Sequence, residues 1–545
     1  MEIGLDSDIP TYSGGLGILA GDLAHSFADL GIPATFVTLL SRNGYTRQKL
    51  SRSEGQVDAP QPWNWRSILT KTEAVAMVEV GERTQTVGAW EYKVKGKTDA
   101  SVLFLDTDYG ENDPDVRAAT DRLYGGGQGT RLIQDVMLGI GGYRVLKALG
   151  REIQLYHLNE SHAAFALVEL LRDRGAEGTR RSCVFTTHTP VAAGLDIFPL
   201  ALVRDALRGY TWVNWDAESI DGAVSLAGIA SKYSGVTNAV SLKHRFVARG
   251  VIGRDQITYV TNGVYHRRWV HPKLKEVYDE HLPGWEDSPG LLGRALSIPS
   301  DVLSKAHEEV KKALVSEVKE GSGVRFDQDS FLITVAKRFT AYKRNGMILG
   351  DESRLERIAS QFGKIQIIIA GKAHPRDDVA KQMLANALRE VDQANERNAN
   401  VRAAVLENYD IDMAKLLVAG SDVWLNNPRR PLEACGTSGM KAAMNGVLNL
   451  SVYDGWWLEA GVDAVNGWGI GRRTEWGDLG GSAEGEEEND LYVKLANSVV
   501  PTYYGQRDRW VEMSKSSIAT VGPLFNSYRM TEDYMAKVYA RALSA

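Results

Sequence analysis

Short, almost continuously apolar runs recur along the 545-residue chain and alternate with longer amphipathic stretches. ATFVTLL (34–40), IQLYHL (153–158), CVFTTHT (183–189) and ITYVTNG (257–263) make a first set. FLITVAKR (331–338), IQIIIAGK (365–372), AAVLENY (403–409), DVWLNN (422–427) and VLNLSVYD (447–454) make a second. Runs this short, apolar on both faces, predict strands buried inside parallel sheets. The stretch DVLSKAHEEVKKALVSEV (301–318) instead carries its apolar residues three and four apart, which predicts an amphipathic helix. Repeated strand–helix units predict doubly wound α/β domains. The segment 266–300 is rich in Pro, Gly, Trp and charge and breaks this rhythm, so it reads as the join. The expected organisation is an N-terminal domain over 1–268, a C-terminal domain over 269–520, and a last helix within 521–545 that can pack on either. GGSAEGEEEND (480–490) reads as a solvated acidic loop, and no internal repeat is evident.

Each strand set ends in polar turns: NESH, TTHTP and TNG in the first, KRFTAYKR, AGKAHP and ENYD in the second. Open α/β sheets bind ligands at the carboxyl ends of their strands. Both sets of turns are therefore expected to line one cleft between the domains.

Composition narrows the function. Hydrophobic residues make up 43% and charged residues 24%, ordinary for a globular protein, and the length is enough for two or three cores. A formal net charge of −6 without a long basic run argues against nucleic acid or an anionic membrane as partner, so any phosphate-binding cations are local. Cys183 and Cys435 are the only cysteines, which makes no disulfide framework and suits a reducing compartment. The opening MEIGLDSDIP has no basic or apolar leader pattern, and no apolar run nears the ~20 residues that span a bilayer. A cytoplasmic protein is the expectation. No metal is expected, since no ligand spacing of the familiar kinds occurs.

The candidate chemistry centres on EACGTSGMK, Glu433 to Lys441. A turn of Gly436, Thr437, Ser438 and Gly439 lets backbone N–H groups close on a phosphate. Lys441 follows, with an amine able to condense with an aldehyde. Pyridoxal 5′-phosphate carries both groups. The alternative is a glycine-rich helix entry with a solvated lysine. Lys337, Arg338 and Lys343 cluster after the FLITVAKR run, either as a phosphate site or as a basic surface turn. Gly14, Gly15, Leu16 and Gly17 precede the helical stretch ILAGDLAHSFADL, where helix N-terminal amides favour an anion; a tight strand-to-helix turn is compatible with that.

With these residues in view, the chain resembles the α-glucan phosphorylases, glycosyltransferases of the glycogen and maltodextrin type, and most of all their short bacterial and archaeal branch. The resemblance rests on TYSGGLGILAGD, HLNESHAA, TTHTPVAAG, TNGVYHRRW, VAKRFTAYKR, IIIAGKAHP, LENYDIDMAKLL and NNPRRPLEACGTSGMKAAMNG, in the family's order along nearly the whole chain. It implies a glycosyltransferase-B fold of two Rossmann-like domains with the active site between them. It implies phosphorolysis of α-1,4-glucans to glucose 1-phosphate with retention, with the phosphate of pyridoxal 5′-phosphate relaying a proton. It places that cofactor on Lys441, with Gly436, Thr437, Ser438 and Lys337 at its phosphate and Tyr409 and Trp269 lining it. Arg338, Lys343 and the amides of Gly14, Gly15 and Leu16 are expected at the substrate phosphate. His188, Glu160, Asn262, Tyr342, Glu433, Ala434, Cys435 and Gly436 are expected at the sugar, with the His188 carbonyl near the anomeric carbon. The implied partners are maltodextrin or a glycogen-type glucan, inorganic phosphate, glucose 1-phosphate and a second copy of the chain.

Four departures qualify the resemblance. The family carries a first strand before the MEIGL string, and Met1 is already the Met of that string, so this strand is expected to be missing. Cys435 replaces a serine. Gly127, in LYGGGQGTR, replaces an aspartate of a loop that gates the cleft. Glu160 stands where long enzymes carry aspartate. The rival readings are a nucleotide-sugar glucosyltransferase of similar fold and a weakly active or silent glucan-binding homologue.

Overall fold

The computed structural model describes residues 1–191 and 194–544; Ala192 and Ala193 of the TTHTPVAAG string, and Ala545, lie outside the described residues. The chain forms two compact α/β units. One comprises Met1–Tyr45, Pro60–Thr261 and Met530–Ala545; the other comprises Thr46–Ala59 and Asn262–Arg529. The division thus falls at 261/262, short of position 268. Two contacts draw the intervening residues into the second unit: Val264 bridges to Asn526, and a Cβ on Gly263 would lie 2.1 Å from the Asn526 carbonyl oxygen. The antiparallel hairpin Arg47–Ser51/Gly55–Ala59 belongs there too, its Gln48 amide donating to the Gly371 carbonyl at 2.9 Å. The terminal residues from Met530 belong to the first unit, where Met530, Tyr534 and Val538 share a core with Val184, Val236 and Val260.

The second unit is built on a six-stranded parallel sheet. In spatial order its strands are Val401–Leu406, Ile365–Ala370, Phe331–Ala336, Val423–Asn426, Leu448–Val452 and Gly467–Ile470. Numbered along the chain this is 3-2-1-4-5-6, a doubly wound order. Ile365–Ala370, Phe331–Ala336 and Val423–Asn426, in the middle of the sheet, are buried along their whole length, as the continuous apolar runs predict. The predicted helix at 301–318 is Ser300–Ser322, with Leu303, Ala306, Val310, Leu314 and Val318 inward and Gly323 ending it at φ 74°. The carboxyl ends of the strands carry Lys337 and Arg338, Lys372, Tyr409, Asn427 and Asp454.

The 480–490 segment departs from the acidic loop expected of it, because Glu484–Lys494 is a helix. Glu484, Glu486 and Glu487 lie in its first turn, where the helix dipole favours carboxylates. Glu487 is buried, accepting from Arg344 at 2.6 Å and Arg430 at 3.0 Å.

In the first unit the strands form two four-stranded sheets and a small antiparallel sheet of Ser219–Ile220, Ala223–Ser225 and Ile197–Pro199. One four-stranded sheet is wholly parallel, in the order Thr258–Tyr259, Val236–Ala239, Cys183–Thr186, Tyr156–Asn159. The other runs Thr35–Leu39, Ala100–Asp106, Arg83–Val94, Thr70–Val80; its first pair is parallel and the rest antiparallel. This antiparallel part corrects the purely parallel domain expected from the apolar runs. Residues 70–80 alternate between buried and exposed, so one face meets water and no continuous apolar run marks them. Val80 pairs with Arg83 across a two-residue turn in which Gly81 has φ 63°.

Candidate active site

In the first unit, helix Gly15–Leu30 begins at the predicted glycine turn, with Gly14 as its extended N-cap and no side-chain cap. A Cβ on Gly14 or Gly15 would meet nothing within 4 Å, and neither residue has positive φ. Packing and backbone conformation therefore do not call for glycine at these two positions. What they keep clear is the approach to the helix's first N–H groups, which have no intrahelical acceptors. Gly17 differs: a Cβ there would lie 2.7 Å from the Glu2 carboxylate, which packs against the turn.

Glu160 and His188 come together on adjacent strand ends. Glu160 is buried at φ 70°; its Oε1 accepts from the Ser161 N–H at 2.9 Å, and its Oε2 accepts from the His188 N–H at 2.7 Å and the Thr189 hydroxyl at 3.0 Å. Burial raises its carboxyl pKa against those donors. His188 Nε2 lies 2.7 Å from Asn159 Oδ1, an acceptor, so Nε2 carries the proton. Burial, then the neighbouring His244, push its imidazole down to about 3, leaving it neutral. Asn159 was not singled out by sequence; the only hint is its place in NESH.

A second polar cluster holds His162, whose Nδ1 lies 2.6 Å from Asp196 and 2.7 Å from an Arg131 nitrogen. Asp135, His162 and Asp196 have the donor types and closeness of a metal site, which their spacing in sequence conceals. Arg131 also pairs with Asp196 at 3.1 Å, so a guanidinium already stands among these groups.

In the second unit, Lys337 is buried and donates to Asn427 Oδ1. Desolvation, reinforced by Lys343, holds its amine well below the usual lysine range. Asn427 is fixed in turn by its amide bond to the Arg344 carbonyl at 3.0 Å and by Arg344 Nε donating to its own carbonyl at 2.8 Å. Lys343, in the short turn Ala341–Lys343 with half-buried Tyr342, pairs with the Glu433 carboxylate. Burial works to lower the Lys343 amine, but Glu433 prevails and it is raised. Arg338 is exposed, and Tyr409 is half-buried with burial raising its phenol.

Glu433 is buried, its N–H donating to Asp454 Oδ2 at 3.0 Å. The turn through Ala434, Cys435 and Gly436 (φ 85°) is held by Trp456 N–H donating to the Cys435 carbonyl at 3.0 Å. The Asn262 N–H meets the Cys435 thiol, which burial pushes well up. The Asn262 side-chain oxygen is buried with no hydrogen-bond partner. Such an orphaned acceptor marks a place for a ligand's donor.

Lys441 is 7% exposed, which excludes the solvated lysine of the alternative reading. It lies on helix Ser438–Met444, after Thr437, with its Nζ 3.7 Å from the Trp269 ring centroid. Asn445, a residue sequence reasoning passed over, donates to the carbonyls of Trp269 and Lys441, both at 2.8 Å. The Ser438 hydroxyl accepts from Trp424 at 3.1 Å. A buried amine against an aromatic ring, directly behind a small-residue turn with two hydroxyls, is a donor set that fits an aldehyde carrying a phosphate.

Among the described residues no helix is long and apolar enough to cross a membrane. The carbohydrate phosphorylase family model matches residues 213–466. A maltodextrin phosphorylase of Thermococcus litoralis is 37% identical over an alignment covering 100% of this chain and 70% of the relative. A glycogen phosphorylase of Mycobacterium tuberculosis is 35% identical over 99% of this chain and 70% of its own length. A glycogen phosphorylase of Aquifex aeolicus is 32% identical over 99% and 85%. Identity of this extent along the whole chain, together with the buried Lys441 behind its glycine turn, places it: the chain belongs to the carbohydrate phosphorylase family.

Proposed function

We propose that this chain phosphorolyses α-1,4-glucans to glucose 1-phosphate with retention, holding pyridoxal 5′-phosphate on Lys441. The observation that carries this reading is the Lys441 amine, buried against Trp269 and directly behind the Gly436–Gly439 turn. Relatives named for maltodextrin and glycogen support a glucan as substrate. We read both units as the Rossmann-like halves of a glycosyltransferase-B fold, which the 3-2-1-4-5-6 strand order of the second supports. Two buried cysteines without a disulfide suit a cytoplasmic setting.

Lys441 would hold the cofactor at its aldehyde carbon, and Lys337 with the Gly436, Thr437 and Ser438 donors would hold its phosphate. When bound, the cofactor supplies a phosphate monoester titrating near pH ~6, suited to exchanging a proton at neutral pH. An anion beside Lys337 restores the charge that burial suppresses. Lys343 and Arg338 bind the substrate phosphate, and the Gly15 and Leu16 amides present an anion site in the first unit, the Gly14 N–H being taken by the Glu2 carboxylate. Glu433 and the orphaned Asn262 oxygen accept from sugar hydroxyls, which rejects analogues lacking them. Glu160 fixes the His188 backbone, and so the His188 carbonyl.

The test is incubation of the purified protein with maltoheptaose and phosphate, with glucose 1-phosphate assayed and the cofactor's absorption band recorded. Product and band together are the expected result. Glucosyl transfer from a nucleotide sugar, with no band, would establish the rival transferase reading. A band with no product would establish a silent homologue.

A further inference from the structure

Glu2 makes a set of contacts that the proposed chemistry does not use. Its side chain is buried. Oε2 accepts from the Ser13 N–H at 2.5 Å, the Ser13 hydroxyl at 3.0 Å and the Gly14 N–H at 3.3 Å. Oε1 accepts from the Tyr124 hydroxyl at 3.0 Å. One carboxylate thus grips two stretches of the first unit that are far apart in sequence: the turn leading into helix Gly15–Leu30, and the start of the loop Tyr124–Gly127. Gly17 must lack a Cβ for this carboxylate to sit where it does.

Tyr124 is built as the loop's anchor. It holds φ 56°, a left-handed conformation that is costly for a non-glycine residue and persists only where neighbours enforce it. The neighbours are visible. Its ring lies under the Arg131 guanidinium at 4.8 Å and edge-on to Tyr45 at 6.5 Å. The adjacent Leu123 N–H donates to the Gly44 carbonyl at 3.0 Å. Gly125, Gly126 and Gly127 follow this anchor, so the loop's freedom begins where the Tyr124–Glu2 bond ends. At the other end of Glu2, the direction of the Ser13 and Gly14 amides sets the entry of the helix and the aim of its first N–H groups.

We propose that Glu2 is a positioning residue that ties the glycine turn Ser13–Gly17 to the loop Tyr124–Gly127, so that the loop's conformation sets how the turn's amides meet the substrate phosphate. The proposal rests on the phosphorolytic reading above. It requires no contact between Glu2 and substrate: the carboxylate acts from behind the turn, through Ser13 and Gly14.

The test uses Tyr124→Phe, which removes one hydroxyl and keeps the ring packed on Arg131, together with Glu2→Gln and the double variant. Losing one bond to a charged acceptor is expected to raise the KM for phosphate about tenfold, with the KM for maltoheptaose changed less than about twofold. Amide hydrogen exchange of a peptide spanning 11–17 should quicken in Tyr124→Phe, with the melting temperature unchanged. The double variant should be no worse than the worse single one, as for two ends of one link. Phosphate and glucan KM rising together, additive effects in the double variant, or unchanged exchange at 11–17 would each overturn the proposal. The wild-type protein separates the two claims. If it releases no glucose 1-phosphate, the functional reading fails; if it is active and Tyr124→Phe matches it in phosphate KM and exchange, only the positioning role fails.

Discussion

Lys441 holds its Nζ 3.7 Å from the centroid of the Trp269 ring, and Asn445 clamps the two backbones by donating to both their carbonyls. A primary amine enclosed in this way is kept from water and aimed, as an amine that must take an aldehyde needs to be. Borohydride reduction of the cofactor-bearing protein followed by peptide mapping is expected to mark Lys441. Lys441→Ala should lose the cofactor band almost entirely while remaining folded. A mark on another lysine would sink the assignment.

The Lys343–Glu433 pair and exposed Arg338 give a second prediction. Lys343→Ala and Arg338→Ala should each weaken phosphate use by about 1.5–3 kcal/mol, roughly 10- to 150-fold in kcat/KM for phosphate, with much less effect on glucan binding. Lys343→Ala also leaves Glu433 buried without its cation, so some loss of thermal stability should accompany it. Initial rates at varied phosphate and fixed maltoheptaose decide the matter. Unchanged phosphate dependence in both variants would place the anion elsewhere.

Glu487 supports the site from behind. Its two oxygens accept from Arg344 and Arg430, all three being nearly inaccessible to water. Arg344 also fixes Asn427, which holds Lys337. Removing one partner from a buried ion network leaves uncompensated charge, so Glu487→Ala should destabilise the protein by about 3–5 kcal/mol. Chemical denaturation monitored by tryptophan fluorescence measures it. A loss below about 1 kcal/mol would show that water reaches the two arginines freely.

Much of this was legible in the chain for particular physical reasons. The second unit's strands announce themselves because both faces are buried, so each is a continuous apolar run, and the candidate residues follow at their carboxyl ends. The first unit's strand at 70–80 passes unnoticed because its residues alternate between buried and exposed, and the strand at 83–94 because RTQTVGAWEYKV intersperses polar residues even along its buried stretch. Helix Glu484–Lys494 hides behind its acidic first turn, since a carboxylate drawn inward by two arginines looks in sequence like one drawn outward by water. Asn427, Asn445 and Asp454 were missed for a related reason: each acts on another residue's backbone or amine, and nothing in a lone Asn or Asp names its partner. Lys441 stands out as a candidate because glycine, hydroxyl and lysine lie side by side in one string, while its burial against Trp269 is not written there.

Acid should loosen the first unit first. Burial depresses His157, His162 and His244 to about 4 and His188 to about 3, from 6.5. The unfolded chain therefore takes up protons below about pH 6.5 that the folded one refuses. The stability these groups contribute is fully present above that value and is lost as pH falls toward 4, at a limiting slope of about 1.4 kcal/mol per pH unit per histidine. His157→Gln, which keeps partners for Tyr539 and Thr186, should flatten the slope by about one proton in denaturation curves at pH 4.5–7. A slope unchanged by that substitution would mean that His157 titrates normally in the fold.

Gly127 is the N-cap of helix Gln128–Val136, extended at φ −89° and ψ −165°, and a Cβ there would meet nothing within 4 Å. An aspartate fits without strain. Its carboxylate could accept from the N–H of Gly129 or Thr130 and would lie at the favourable end of the helix dipole, worth about 0.3–1 kcal/mol. It would also give the loop a second anchor besides Tyr124, at the far side of Gly125 and Gly126. Three consecutive glycines raise the entropy lost when the loop orders. Gly127→Asp should therefore slow amide exchange over 123–131, raise the melting temperature by about one to three degrees, and increase turnover or narrow the range of glucans used. The cofactor content should stay the same. If exchange slows while turnover and glucan preference stay at wild-type values, the loop's order does not limit catalysis, and glycine at 127 is neutral for the reaction.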